Sequence, residues 1–146
     1  AKEALRAHER AKWLAKIDAA VFIIDCSWNM QVAEIARKTA PIVNYLRSQR
    51  PDTPIVLADG TPDGAAWFFE ASGELQANKT AALKSGFDAC VKNGTKGLFM
   101  VDGASFFGEH GDALANPTVG GCHPNDLGTA DVASFWSKFL PTVLKD

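Results

Sequence analysis

Apolar positions along the chain fall into runs that alternate between helical and strand periods. Residues 1–16, AKEALRAHERAKWLAK, have helix-forming composition, with Leu5, Trp13 and Leu14 as a thin apolar stripe. AAVFIID, 19–25, is a short β-branched and aromatic run and reads as a buried parallel strand. Over 31–50 the period turns helical: Val32, Ile35, Ala36, Thr39, Ile42, Val43 and Leu46 share one face, and Pro41 predicts a kink or break. PIVLAD, 54–59, is a second buried strand, and GTPDGAAWFFEASG, 60–73, reads as a loop or lid with exposed aromatics. A helix over 74–93 turns Leu75, Leu83, Phe87, Cys90 and Val91 inward, and GLFMVD, 97–102, is the third strand. A long loop, 103–122, follows. The last helix has Pro124 in its first turn and runs to about Leu144, with Leu127, Ala130, Phe135, Phe139 and Leu140 inward.

This order predicts an α/β fold, a three-layer α/β/α sandwich with a parallel sheet and right-handed crossovers. In open α/β sheets ligands bind beyond the carboxyl ends of the strands. Asp25–Asn29, Asp59–Asp63, Asp102–Ser105 and the loop holding His123 should therefore converge at one edge. Three strands make a narrow sheet. The edge strand Val21, Phe22, Ile23, Ile24 is expected to want a neighbour.

Composition narrows the function classes. A length of 146 residues suits one domain, 1–146. The net charge of −2 comes with scattered Lys and Arg, which argues against a nucleic-acid partner. No run reaches the roughly 20 apolar residues of a membrane span. No signal peptide is recognisable, and the start at Ala1 reads as a processed chain or one cut from something longer. Cys26, Cys90 and Cys122 make an odd count without CxxC, which favours a reduced compartment over a disulfide framework. His8, His110 and the cysteines lack metal-ligand spacing, Glu109–Asp112 reads as a solvated loop, and neither a metal nor a cofactor is expected.

Candidate chemistry centres on TVGGCHPNDLG, 118–128, which sets His123 in a glycine-rich loop ahead of a helix start. Such a histidine is either a base or a helix-capping residue; Asn125 and Asp126 beside it read as the cap. Ser27 and Cys26, at the end of the first strand, are possible substitute nucleophiles, although a thiol needs a lowered pKa for that role. Ser105 and Cys122 read as loop residues. Asp102 and Asp112 are possible orienting acids. Trp28, Trp67, Phe68 and Phe69 lie near the ligand edge, where they suit an acyl or sugar pocket or a protein partner.

Four stretches, IDAAVFIIDCSWNM, RPDTPIVLAD, NKTAALKSGFDACVKNGTKGLFMVDG and GGCHPNDLG, resemble in order the later blocks of an SGNH (GDSL-like) lipase/acylhydrolase. The resemblance covers about 11–144 and implies the flavodoxin-like SGNH fold, here truncated from five strands to three, with 1–16 in place of the usual first block. It implies ester or acyl hydrolysis by a Ser-His-Asp arrangement. Asn29 matches the oxyanion-hole Asn and His123 the base. The Gly-Asp-Ser block and the glycine-containing oxyanion block have no counterpart, and Gly120 stands where the family has Asp. The resulting expectation is a domain impaired in catalysis as an isolated chain. It would serve as a binding or structural subunit through protein association or self-association along Val21–Ile24. The alternative is an active acylhydrolase on a small ester or acylated sugar, with its nucleophile drawn from another segment or chain.

Overall fold

The computed structural model describes residues 9–108 and 117–144. The described part of helix α1 is 9–14. It leads into β1 (Phe22–Ile24), a 3-10 turn (Ser27–Asn29), α2 (Val32–Gln49) and β2 (Ile55–Ala58). A second 3-10 turn (Gly64–Trp67), α3 (Glu70–Lys92), β3 (Leu98–Val101) and a third 3-10 turn (Gly103–Ser105) follow. The two-residue strands β4 (Thr118–Val119) and β5 (His123–Pro124) then form a hairpin, and α4 (Asp126–Val143) ends the described chain.

The sheet is parallel, in the order β1-β2-β3, as the alternation of elements predicts. β2 is central and buried along its whole length. Its side chains alternate between two cores, as the period of a strand requires. Ile55 and Leu57 join Ile35, Val43, Leu46, Leu83 and Cys90 under α2 and α3, while Val56 and Ala58 join Val101, Phe106 and Val143 under α4. Phe135 of α4 meets Phe106 edge-on and stacks on Phe139, and Trp136 lies tilted against Phe106. The Arg47 guanidinium ties the far end together by donating to the carbonyls of Arg50, Pro51 and Gly97 at 2.9, 2.7 and 3.1 Å.

Several local expectations shift. Pro41 lies inside α2 without ending it. The helix buries Ile35, Thr39, Val43 and Leu46 on one face, and its first turn carries a capping box between Gln31 and Glu34. That packing offsets the one hydrogen bond the proline removes. Ala36 is exposed rather than inward. α3 begins at Glu70, four residues earlier than the pattern indicates, and it exposes Leu75 and Val91 while burying Lys79, Ala82 and Gly86. Pro124 belongs to β5, and Asn125 is the N-cap of α4, accepting from the Gly128 N–H at 3.0 Å. Leu127 and Ala130 face solvent, while Gly128 between them is the residue of that turn that packs inward, against Pro117 and Phe107.

Candidate functional site

Three turns leave the carboxyl ends of β1, β2 and β3, and they pack on one another through glycines. A Cβ on Gly60 would sit 1.7 Å from the Trp28 indole, and a Cβ on Gly103 would sit 1.7 Å from the Gly60 carbonyl oxygen. Only glycine allows such approach. The Ser27–Asn29 turn, the Asp59–Asp63 loop and the Gly103–Ser105 turn are thereby stacked side by side.

Asp59 is the buried anchor of this strip. Its Oδ1 accepts from the Gly60 N–H (2.9 Å) and from Ser27 Oγ (3.4 Å), and its Oδ2 accepts from Thr80 Oγ1 (2.5 Å). Trp28 donates its indole N–H to the Thr61 carbonyl at 3.0 Å, and Lys79 Nζ donates to the Trp28 carbonyl at 2.7 Å. Ser27 and Trp28 are thus held from three sides, whereas Asn29, the next residue, is exposed. A polar side chain presented from a fixed backbone is what an oxyanion donor requires.

His123 is set by a second clamp. Val119 and His123 are cross-strand partners in the β4–β5 hairpin. The hairpin turn leans on the Gly64–Trp67 turn, with the Gly64 N–H donating to the Gly121 carbonyl at 2.7 Å. Gly121 has a φ of 78°, in the left-handed region, and a Cβ there would lie 3.1 Å from Gly64 Cα. Gln76 joins the two clamps: its Nε2 donates to the Thr61 carbonyl (3.4 Å) and its Oε1 accepts from the Asp63 N–H (3.2 Å). Loop 59–64 is therefore the shared neighbour of the Asn29 turn and the His123 hairpin. His123 itself is exposed.

The other candidates are placed differently. Ser27 is buried with its hydroxyl directed to Asp59 rather than to a histidine. Cys26 is open to solvent, and its thiol is pushed up first by desolvation and then by the Asp25 carboxylate, which disfavours the thiolate. The Asp25 carboxyl is also raised, by desolvation first and by Asp59 second. Asp102 caps its own 3-10 turn, accepting from the Ala104 N–H at 2.9 Å. Ser105 and Cys122 are exposed. Trp28 is half-buried, its indole committed to Thr61, whereas Trp67 and Phe68 are 72% and 67% exposed and meet edge-on at 4.7 Å. His8, Glu109, His110 and Asp112 lie outside the described residues. Among the described residues no group of three or more His, Cys, Asp or Glu side chains is arranged to hold a metal ion. No described helix is long and apolar enough to cross a membrane.

Composition and periodicity gave no sign of Lys79, Thr80 or Gln76. All three lie on α3 at spacings of three and one, and the only hint was a polar stripe, Gln76-Lys79-Thr80, on a helix otherwise read by its apolar positions.

A cleft of about 560 Å³ opens beside β1. Its lining mixes apolar side chains such as Leu14, Ile24 and Ile42 with the charged Arg10, Glu34 and Lys38, and it includes Asn29.

Comparison with known proteins agrees with this fold. A GDSL-like lipase from Bacteroides ovatus superposes with a TM-score of 0.83 at 29% identity, covering 94% of this chain and 40% of that one. The salicylyl-acyltransferase SsfX3 from a tetracycline biosynthetic pathway superposes with a TM-score of 0.72 at 15% identity, covering 91% of this chain and 40% of that one, and so shares the fold. The chain thus spans two fifths of the length of each of these structures. No curated protein matches the sequence. The sequence matches the GDSL-like lipase/acylhydrolase family over residues 3–141, and the chain belongs to that family.

Proposed function

We propose that this chain carries the proton-transfer and oxyanion-binding side of a GDSL-type acyl-ester site, is impaired in ester turnover by itself, and works as a binding or structural part of a larger assembly. One observation supports the reading above the others. Asn29 and His123 stand exposed on turns that are clamped to a common loop, while the Ser27 hydroxyl is turned to Asp59 and the Cys26 thiol is pushed up by desolvation.

In the completed site a nucleophilic hydroxyl attacks the ester carbonyl. His123 takes the hydroxyl proton, the Asn29 amide donates to the oxygen as it gains negative charge, and His123 returns the proton to the departing alcohol. A triad also uses a carboxylate to orient the histidine. Gly120 cannot supply one, and Asp102 spends its carboxylate on its own turn. Trp67 and Phe68, beside the His123 hairpin, suit the apolar part of an acyl group or a sugar face.

The test is hydrolysis of p-nitrophenyl acetate and butyrate by the chain, with His123→Ala and Asn29→Ala alongside. Equal rates for all three support the proposal. Turnover by the unmodified chain that His123→Ala abolishes overturns it, and shows that a nucleophile is present after all.

A further inference from the structure

Two apolar features flank His123, and both are open to solvent. Val119 is the cross-strand partner of His123 in the β4–β5 hairpin. Residues directly opposite in an antiparallel pair project from the same face, with Cβ atoms about 5 Å apart. Val119 is 66% exposed there, and His123 is exposed beside it. The second feature is Trp67 with Phe68. Their turn begins at Gly64, whose N–H donates to the carbonyl of Gly121, two residues before His123. Trp67 follows Gly64 by one turn of 3-10 helix, a rise of about 6 Å. Both features belong to the connections that leave β2 and β3, so they form no part of the β1 edge.

The two rings make a corner. Their centroids are 4.7 Å apart and their planes stand at 78°. In an edge-on pair one ring keeps both faces clear of its partner and the other keeps one. Trp67 is 72% and Phe68 67% exposed, so those faces meet solvent. An open corner of this kind selects rigid ligands. A flexible alkyl chain laid on it loses the freedom of several rotors while one side stays wet. A ring has little freedom to lose and stacks a whole face at once.

The chemistry gives the corner a side. In the proposed reaction the Asn29 amide meets the oxyanion, and His123 hands a proton to the departing alcohol. The alcohol oxygen then lies within hydrogen-bond reach of His123, and the group it carries extends from the histidine side. Val119 and the Trp67–Phe68 corner flank the histidine, whereas Asn29 sits on the turn after β1. We infer that Trp67, Phe68 and Val119 form the subsite for the leaving alcohol rather than for the acyl group. That alcohol carries a flat ring, a phenol or a pyranose, whose apolar face stacks on Trp67. The inference rests on the proposed function, since it takes Asn29 and His123 as two ends of one site, but it does not require turnover.

The test uses a pair of isomers. Phenyl acetate has its ring on the alcohol side of the ester, and methyl benzoate has it on the acyl side. Each is titrated into the chain, with monoacetylated methyl β-xylopyranoside as the sugar arm and hexyl acetate as the acyclic control. NMR follows the Trp67 indole N–H, identified by its loss in Trp67→Leu, together with the Asn29 side-chain amide and the His123 ring. Phenyl acetate or the acetylated xyloside should move all three along one saturation curve, with Kd about 1–10 mM and at least ~5-fold tighter than methyl benzoate or hexyl acetate. The tighter of the two ring arms names the source of the ring. Trp67→Leu should weaken that binding ~5-fold or more with circular dichroism unchanged, and Trp67→Phe should restore most of it.

Binding by methyl benzoate or hexyl acetate as tight as by the ring alcohols' esters overturns the inference. So does binding that Trp67→Leu tolerates, or no shift up to ~50 mM. A Trp67 signal that moves with protein concentration alone assigns the corner to contact between copies and also overturns it. Shifts at Asn29 and His123 without Trp67 overturn the inference and leave the proposed site standing. Shifts at Trp67 alone overturn the inference together with the pairing of Asn29 and His123 in one site. Turnover shows itself separately, as free acetate in the same spectra.

Discussion

The Lys79 ammonium donates a 2.7 Å hydrogen bond to the carbonyl of Trp28, 51 residues earlier in the chain. That carbonyl belongs to the peptide unit joining Trp28 to Asn29. A residue on α3 therefore holds the orientation of the backbone that presents Asn29. The same ammonium lies 5.2 Å from the centre of the Trp28 ring, close enough for a cation–π contribution. Lys79 is only 9% exposed, so its charge is in surroundings where hydrogen bonds to carbonyls count for more than at the surface. Lys79→Met keeps the aliphatic stem and removes the donor. It should cost about 1–3 kcal/mol in chemical denaturation, because the Trp28 carbonyl loses its partner. A cost within ~0.5 kcal/mol would class the bond as an ordinary surface contact.

Asp59 joins three donors from three different parts of the chain. Asp59→Ala leaves two hydroxyls and an N–H without their acceptor and should destabilise by about 3 kcal/mol. A double-mutant cycle with Thr80→Val should return a coupling of about 1–2 kcal/mol, since the Thr80 hydroxyl donates directly to the buried Asp59 side chain. Additive costs in that cycle would contradict the contact.

Glycines in this chain differ sharply in what they tolerate. Gly103→Ala drives a Cβ to 1.7 Å from the Gly60 carbonyl oxygen, which is backbone and cannot swing aside. The substitution should cost about 3 kcal/mol or more. Gly73→Ala, in α3, meets nothing closer than 3.6 Å and should stabilise by up to ~1 kcal/mol through helix propensity. Denaturation midpoints of the pair, measured together, check both signs.

The Asp25 carboxyl is raised above its ordinary value, first by desolvation and then by Asp59. A raised folded-state pKa favours the protonated form. Its contribution to stability is full below the unfolded carboxylate value and is lost as pH rises through the folded value. Asp25→Asn removes that loss. The variant should be the more stable protein at pH 7, and the advantage should disappear below about pH 4. Urea midpoints across that range decide it; an advantage independent of pH would assign it to another cause.

Gly120 stands where the family resemblance of the sequence sets a triad acid. Its φ is 62°, and a Cβ there would meet nothing within 4 Å. Gly120→Asp therefore has space, at a cost of about 1 kcal/mol for left-handed backbone, which Asp tolerates better than most residues. The variant should fold and still fail to hydrolyse p-nitrophenyl butyrate, because in the proposed function the nucleophile comes from outside this chain. Turnover by Gly120→Asp would show that the acid alone was limiting.

The sequence by itself determined the element order, the parallel sheet, the buried strand Ile55–Ala58 and the family, because these depend on local period and on short motifs. It also indicated His123 and Asn29 as the residues to watch, and the exposure of Trp67 and Phe68. Contacts between residues far apart in sequence were decided only by the tertiary structure. Periodicity reports which face of a helix is apolar, not what the polar residues on that face will meet, so Lys79, Thr80 and Gln76 escaped notice until α3 was laid across the strand ends. The same limit explains Leu75 and Val91, which have helical spacing but lie where α3 has no neighbour to cover them. Pro41 shows the converse: local propensity argued for a break, and the buried face of α2 overrode it. The pairing of β1 is likewise a tertiary fact. An apolar run announces a strand, but that Phe22 pairs with Ile55 and that Ile23 is left 41% exposed is decided by the folded chain.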